Sequence, residues 1–112
     1  MGKISSFENK ESVEQRLIRL LKEKGVEDPE AKNLLDTWTR QQEEWAEKSN
    51  EPATAAIEFD LRRARLYFEA GYVDEAFESF EAARMQSWNN NKEELYQKIM
   101  AEMDKLESDL GQ

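Results

Sequence analysis

The sequence predicts an all-α protein of about five helices. Glu, Lys, Arg, Gln, Ala and Leu dominate its 112 residues, and these side chains lose little freedom on a helix. Only 2 Pro and 4 Gly interrupt them. Apolar side chains recur at intervals of three and four residues, which places them on one face of a helix. The length fits a single domain, because domains commonly contain about 100–150 residues.

Capping residues predict the bounds of the first helix, which we place at about 12–24. Ser12 and Gln15 have the spacing of a capping box, in which each side chain bonds a backbone N–H of the other residue. Gly25 is a natural helix end. Residues 1–10 carry no such signals and are expected to form a flexible lead.

The second helix is predicted over about 29–48, because Asp28 is a good N-cap and Pro29 suits the first helical position. A narrow seam of mostly apolar residues runs along it at intervals of four, three, four and three residues. Its two tryptophans are expected to pack in the core, with a ligand clamp as the alternative. The seam comprises Ala31, Leu35, Trp38, Gln42 and Trp45.

Three further helices are predicted over about 53–70, 74–87 and 92–109. Gly71 follows the third helix and can adopt the left-handed conformation that ends it. Asn91 is the expected cap of the fifth helix. An apolar stripe then runs along that helix.

The predicted helices divide the chain into a lead and one helical domain, 11–112. Within the domain we expect a helical pair at 11–50, a hairpin at 53–88 and a closing helix at 91–110.

The stretch ARLYFEAGYVDEAFESFEAA combines small and aromatic residues in a regular order. The order is carried by Ala64, Tyr67, Gly71, Ala76, Phe80 and Ala83. Small residues on either side of Phe80 allow its ring to pack against a narrow part of the preceding helix. This order resembles the tetratricopeptide repeat, a helix–turn–helix of about 34 residues, over about 57–90. The resemblance implies a helical hairpin and a role in protein binding rather than catalysis.

The resemblance covers less than a third of the chain and departs from the repeat in three places. Asp60 and Arg63 stand where the repeat usually has large apolar residues, and Trp88 stands where it usually has proline. Asp60 and Arg63 predict unusual packing in the first turns of the third helix. Trp88 predicts that the fourth helix continues or turns differently at its end. No second copy is found 34 residues away, so the remaining helices must cover the hairpin.

Composition and charge exclude several classes of function. The chain has no Cys and no His, which removes disulfides, thiolate nucleophiles and imidazole bases. Its net charge is −9, which repels phosphate backbones and argues against nucleic-acid binding. No cofactor or metal is expected, and the expected location is cytoplasmic.

The start MGKISS fits a loose N-myristoylation pattern at Gly2, but a chance match is the expected explanation, and membrane binding is not expected.

The candidate binding residues lie on the third and fifth helices. Arg62 and Arg65 are three residues apart in an acidic half of the chain, and the resemblance implies that this helix lines a groove. The resemblance further implies that basic residues in this groove hold an acidic peptide or a terminal carboxylate, a role that suits guanidinium groups because they bind carboxylates in a bidentate way. The alternative is two ordinary surface pairs, Glu58–Arg62 and Arg65–Glu69. The remaining candidates are Leu61, Phe68, Tyr96, Ile99 and Met103.

Taken together, the sequence predicts a non-enzymatic protein-interaction module, an adaptor or small chaperone that binds a peptide or helix in a helical groove. The alternative is a self-associating structural protein, a homo-oligomer whose interface consists of the stripes on the second and fifth helices. A third hypothesis is a carboxylate enzyme, which requires a buried acid with a raised pKa in a cleft.

Overall fold

The computed structural model describes residues 11–111, and within that range it contains five α-helices and no strand. The all-α prediction is confirmed. The predicted flexible lead and the Gly2 pattern lie outside the described residues. No helix in the described range is both long and apolar enough to cross a bilayer. The helices are α1 (Val13–Lys24), α2 (Pro29–Lys48), α3 (Pro52–Glu69), α4 (Val73–Asn89) and α5 (Glu93–Leu110).

The predicted caps of the first two helices are confirmed. Ser12 and Gln15 form both hydrogen bonds of the capping box. The Asp28 side chain accepts the backbone N–H three residues further on, at 3.0 Å. Gly25 ends α1 with a φ of +89°. At these positions the local signals in the sequence were sufficient, because each cap depends on residues within one helical turn.

Asn91 does not cap α5, so that prediction is wrong. Its φ of +59° is left-handed, and its backbone N–H donates to the Trp88 carbonyl at 3.1 Å. The N–H of Lys92 donates to the Ser87 carbonyl at 2.8 Å. This is the Schellman arrangement that closes a helix end, so Asn91 terminates α4. Gly71, with a φ of +93°, terminates α3 in the same way.

Helix α3 lies at the centre of the fold. It packs against α1, α2 and α4, while α5 packs against α4. Buried residues lie on two nearly opposite faces of α3, since each residue turns the helix by about 100°. One face contributes Phe59 and Leu66 to a first apolar cluster, and the other contributes Ile57, Leu61 and Ala64 to a second.

The first cluster joins α3 to the predicted helical pair. Its other buried members are Leu17, Leu20, Leu21, Ala31, Trp38 and Ala70. The Trp38 ring lies 5.6 Å from the Phe59 ring, and its indole N–H donates to a carboxylate oxygen of Glu14 at 3.2 Å. Core packing is therefore confirmed for Trp38. It is wrong for Trp45, which is 49% exposed.

The second cluster joins the hairpin to α5. Ala64, Ala76 and Ala83 are fully buried, and so is Phe80. Phe80 packs in one cluster with Ala64 and Ala83, as the order of small and aromatic residues predicted. Ile99 completes the buried set from α5. Methyl side chains at these positions allow the backbones of α3 and α4 to approach closely.

We predict that replacing Ala64 by leucine will destabilise the protein. The added atoms have no space between α3 and α4, and overpacking of this kind typically costs about 1–3 kcal/mol. Urea unfolding followed by circular dichroism gives the free energy of unfolding. Ala101→Leu is the matched control, because Ala101 is exposed on α5. Equal stability of the two variants would contradict the close approach of the two helices.

Candidate functional site

The seven candidate binding residues do not form one surface. Leu61 and Ile99 are buried in the second cluster, with 6% and 1% of their surface exposed. They were wrongly predicted as contact residues, because the apolar faces of α3 and α5 pack against the chain's own helices. The other five lie at least partly at the surface.

Arg62 connects α3 to α2. Its Nη1 donates to Oε1 of Gln42 at 2.7 Å, and its guanidinium carbon lies 5.0 Å from the centre of the Trp45 ring. No ion pair joins it to Glu58 among the described residues, so the predicted surface pair is wrong. Arg62 and the exposed Trp45 thus form a cation–π contact between helices.

Arg65 connects α3 to α5 through a bidentate ion pair. Its Nε and Nη2 donate to the two carboxylate oxygens of Glu102, each at 2.8 Å. These hydrogen bonds hold the pKa of Arg65 above its ordinary value. The predicted pair with Glu69 is therefore wrong. The side chain that Arg65 binds is 37 residues away in sequence, which helix periodicity cannot reveal.

A shallow depression of about 200 Å³ lies beside these arginines, between α1 and α3. We call it the arginine face; it is lined by Glu14, Ile18, Arg62, Arg65, Leu66 and Glu69. A partner carboxylate that bound Arg65 would have to compete with Glu102. The role of the two arginines in partner binding stays a prediction.

The remaining candidates lie apart from the arginine face. Phe68 is half-buried and meets Phe77 edge-on at 6.4 Å. Met103 packs partly buried against the second cluster. The ring of Tyr96 lies 5.1 Å from that of Trp88, which is 60% exposed. Their contact with a partner stays a prediction, as it does for the two arginines.

A larger concave feature lies on another side of α3. Helices α2 and α4 both pack on α3 but not on each other, and an open cleft of about 740 Å³ lies among the three helices. We call it the acidic cleft. It is lined by Arg40, Glu43, Glu44, Ala46, Glu47, Pro52, Ala56, Phe59, Asp60, Arg63 and Gln86.

Asp60 lies buried in the acidic cleft, with 6% of its surface exposed. Its carboxylate accepts hydrogen bonds from Nη2 of Arg63 at 2.9 Å and from Nε2 of Gln86 at 2.7 Å. Burial raises the pKa of Asp60 above its ordinary value, and the charge of Arg63 opposes that rise. The network joins α3 to α4 at the edge of the cleft.

Arg63 lies between Asp60 and the aromatic floor of the cleft. Its guanidinium carbon is 5.0 Å from the centre of the Phe59 ring. Its Nε is buried and has no hydrogen-bond partner within residues 11–111. One arginine thus combines an ion pair, a cation–π contact and an unused donor.

Asp60 meets the condition set for a carboxylate enzyme, namely a buried acid with a raised pKa in a cleft. Both of its oxygens, however, already accept hydrogen bonds from neighbouring side chains. A general acid or base needs an oxygen within reach of the substrate. The geometry of Asp60 favours a structural contact between α3 and α4.

None of the seven candidate residues lines the acidic cleft, so sequence reasoning missed it. The available signal was the pair Asp60 and Arg63, charged residues at positions where the repeat has large apolar ones. That signal indicated unusual packing of α3, but it did not predict an ion pair at the edge of a cleft. The cleft itself depends on how far α2 and α4 diverge over α3, which no local pattern encodes.

No protein-family model matches this chain, and neither the curated proteins nor the solved structures include a significant match. The resemblance of residues 64–83 to a tetratricopeptide repeat therefore stays a prediction.

We predict that the effect of Asp60→Asn on stability will depend on pH. The folded-state pKa of Asp60 is raised above its ordinary value of 3.8. The protonated side chain therefore contributes fully to stability below that ordinary value, and this contribution is lost as the pH rises through the folded-state pKa. The free energy of unfolding of the variant, relative to wild type, should therefore increase with pH across this window.

Urea unfolding at several pH values measures this difference. The samples must be dilute, because the isoelectric point is about 4.6. A difference that decreased with pH would mean that the ion pair with Arg63 outweighs burial.

We also predict a favourable coupling between Arg65 and Glu102. Arg65→Glu places two carboxylates together, and adding Glu102→Arg should restore about 0.5–1 kcal/mol, as for a partly exposed ion pair. The free energies of unfolding of the single and double variants measure the coupling. The control is the double variant Arg65→Glu, Glu69→Arg. If stability recovered in this control and not with Glu102→Arg, Arg65 would be paired with Glu69 within α3.

Proposed function

We propose that this chain is a non-enzymatic protein-interaction module, an adaptor or small chaperone, that holds a segment of a partner protein in the acidic cleft. The observation that carries the proposal is the cleft itself, a concavity of about 740 Å³ among three helices. A cytoplasmic location belongs to the same proposal and rests on composition alone.

The lining of the cleft suits a protein segment. Pro52 and Ala56 supply accessible apolar surface above the buried Phe59 and Ala46, while exposed glutamates of α2 supply charge. A site for a small organic molecule is typically enclosed and mostly apolar, with few polar groups. An open cleft with many charges instead resembles the grooves in which peptides or helices bind.

The arginine face is the competing location within the same function. Its depression is smaller, at about 200 Å³, and both arginines already bind side chains of other helices. The self-association alternative has less support. Ile99 is buried, and Met103 and Leu106 on α5 pack partly buried against the second cluster, so the middle of that stripe is already used within the chain.

Capture of binding proteins from the native lysate tests the proposal. We expect Ala56→Trp to abolish capture, because Ala56 lines the acidic cleft and the larger side chain fills it. Ala101→Trp is the matched control, since Ala101 is exposed on α5. Circular dichroism confirms that each variant is folded.

A second variant locates the surface. If capture were lost with Arg62→Glu, Arg65→Glu but retained with Ala56→Trp, the binding surface would be the arginine face. Retention by both variants would overturn the cleft as the binding surface. A concentration-dependent mass in light scattering, without capture of any protein, would favour self-association.

A further inference from the structure

We infer that the acidic cleft selects a basic, amphipathic segment, with Lys or Arg side chains for its rim and apolar side chains for its floor. This inference rests on the proposed function, because it assigns the chemistry of the partner. It differs from the sequence-based expectation of an acidic peptide on the arginine face.

The rim of the cleft carries negative charge that the chain does not neutralise. Glu43, Glu44 and Glu47 are exposed on α2 and line the cleft. None of them forms an ion pair within residues 11–111. Arg40 also lines the cleft, one turn away, but is not within ion-pair distance of them. A bound cation would therefore replace water at these carboxylates without breaking an existing pair.

The interior charges of the cleft compensate each other. Asp60 and Arg63 form an ion pair at 2.9 Å, so they add little net charge. What remains is three glutamates against the single guanidinium of Arg40. The cleft is thus negative, and the net charge of −9 on the whole chain strengthens the attraction of a basic partner.

The floor of the cleft adds an apolar requirement. Pro52 is exposed and Ala56 is partly exposed at the start of α3, so they offer apolar surface to a partner. Phe59 and Ala46, each 7% exposed, form the buried base beneath it. A purely polar cation would leave this surface in contact with water. An amphipathic segment would cover it and pair its charges with the rim, which is the usual arrangement of apolar centre and polar edge.

A metal ion is a poorer occupant than a basic segment. Within residues 11–111, no group of three or more Asp or Glu side chains is placed to hold a metal ion. The three rim glutamates therefore act as separate charges along α2. Such a row suits several Lys or Arg side chains spaced along a peptide.

The test uses the full chain labelled with ¹⁵N and a synthetic peptide made of Lys and Leu. About 14 residues give roughly four helical turns, with Leu on one face. We expect amide shifts around the acidic cleft, and we expect Glu43→Gln, Glu44→Gln, Glu47→Gln to weaken binding about tenfold. Raising the salt from about 0.1 M to 1 M should remove most of that difference, because the screening length falls from about 10 Å to 3 Å.

A matched variant separates the cleft from the general negative charge. Glu94→Gln, Asp104→Asn, Glu107→Gln removes the same charge from exposed positions on α5. We expect it to bind the peptide almost as wild type does. Equal weakening by the two triple variants would overturn the inference, since the attraction would then be non-specific.

Two further peptides test the two halves of the inference. A Lys–Ser peptide that bound as tightly as the Lys–Leu peptide would overturn the apolar requirement. A Glu–Leu peptide that bound in the cleft would overturn the selection for basic partners while leaving the proposed function intact. If Ala56→Trp also left capture from the lysate unchanged, the proposed function of the cleft would fail as well.

Discussion

The close approach of α3 and α4 is the constraint on which the rest of the structure depends. Ala64 and Ala83 present only methyl groups at the contact, and the fully buried ring of Phe80 fills the adjoining space. Because this contact occupies one face of α3, the opposite face is left to pack against α1 and α2. One helix thereby contributes to both apolar clusters, and α5 closes the second with Ile99.

Polar contacts reinforce this arrangement from α3 towards α2, α4 and α5. Arg62 binds Gln42 of α2, Arg65 binds Glu102 of α5, and Asp60 accepts from Gln86 of α4. Each is a contact between helices rather than within one. An arginine that bonds a side chain of a second helix helps to fix the two helices relative to each other, even where the contact is partly exposed and individually weak. The fold thus uses charged residues that helix surfaces ordinarily present to water.

The acidic cleft is a consequence of the same geometry. Since α2 and α4 pack on α3 without meeting, a groove opens between them, and the charges of α2 form its rim. The proposed partner segment would occupy a position that another helix could have filled. In this proposal the partner binds where the packing of the helices leaves a groove. The unpaired glutamates and the apolar floor of that groove select a basic, amphipathic segment.

The sequence by itself determined the five helices, most of their ends and the packing of the hairpin. Those features depend on caps, periodicity and small residues, which act within a few turns. It also marked Asp60 and Arg63 as unusual. Only the tertiary structure decided that Trp45 is exposed, that Arg65 binds Glu102, and that the acidic cleft exists. Each of these depends on which distant helices meet. The free energy of that packing is shared among many residues far apart in the sequence, so no local pattern predicts it.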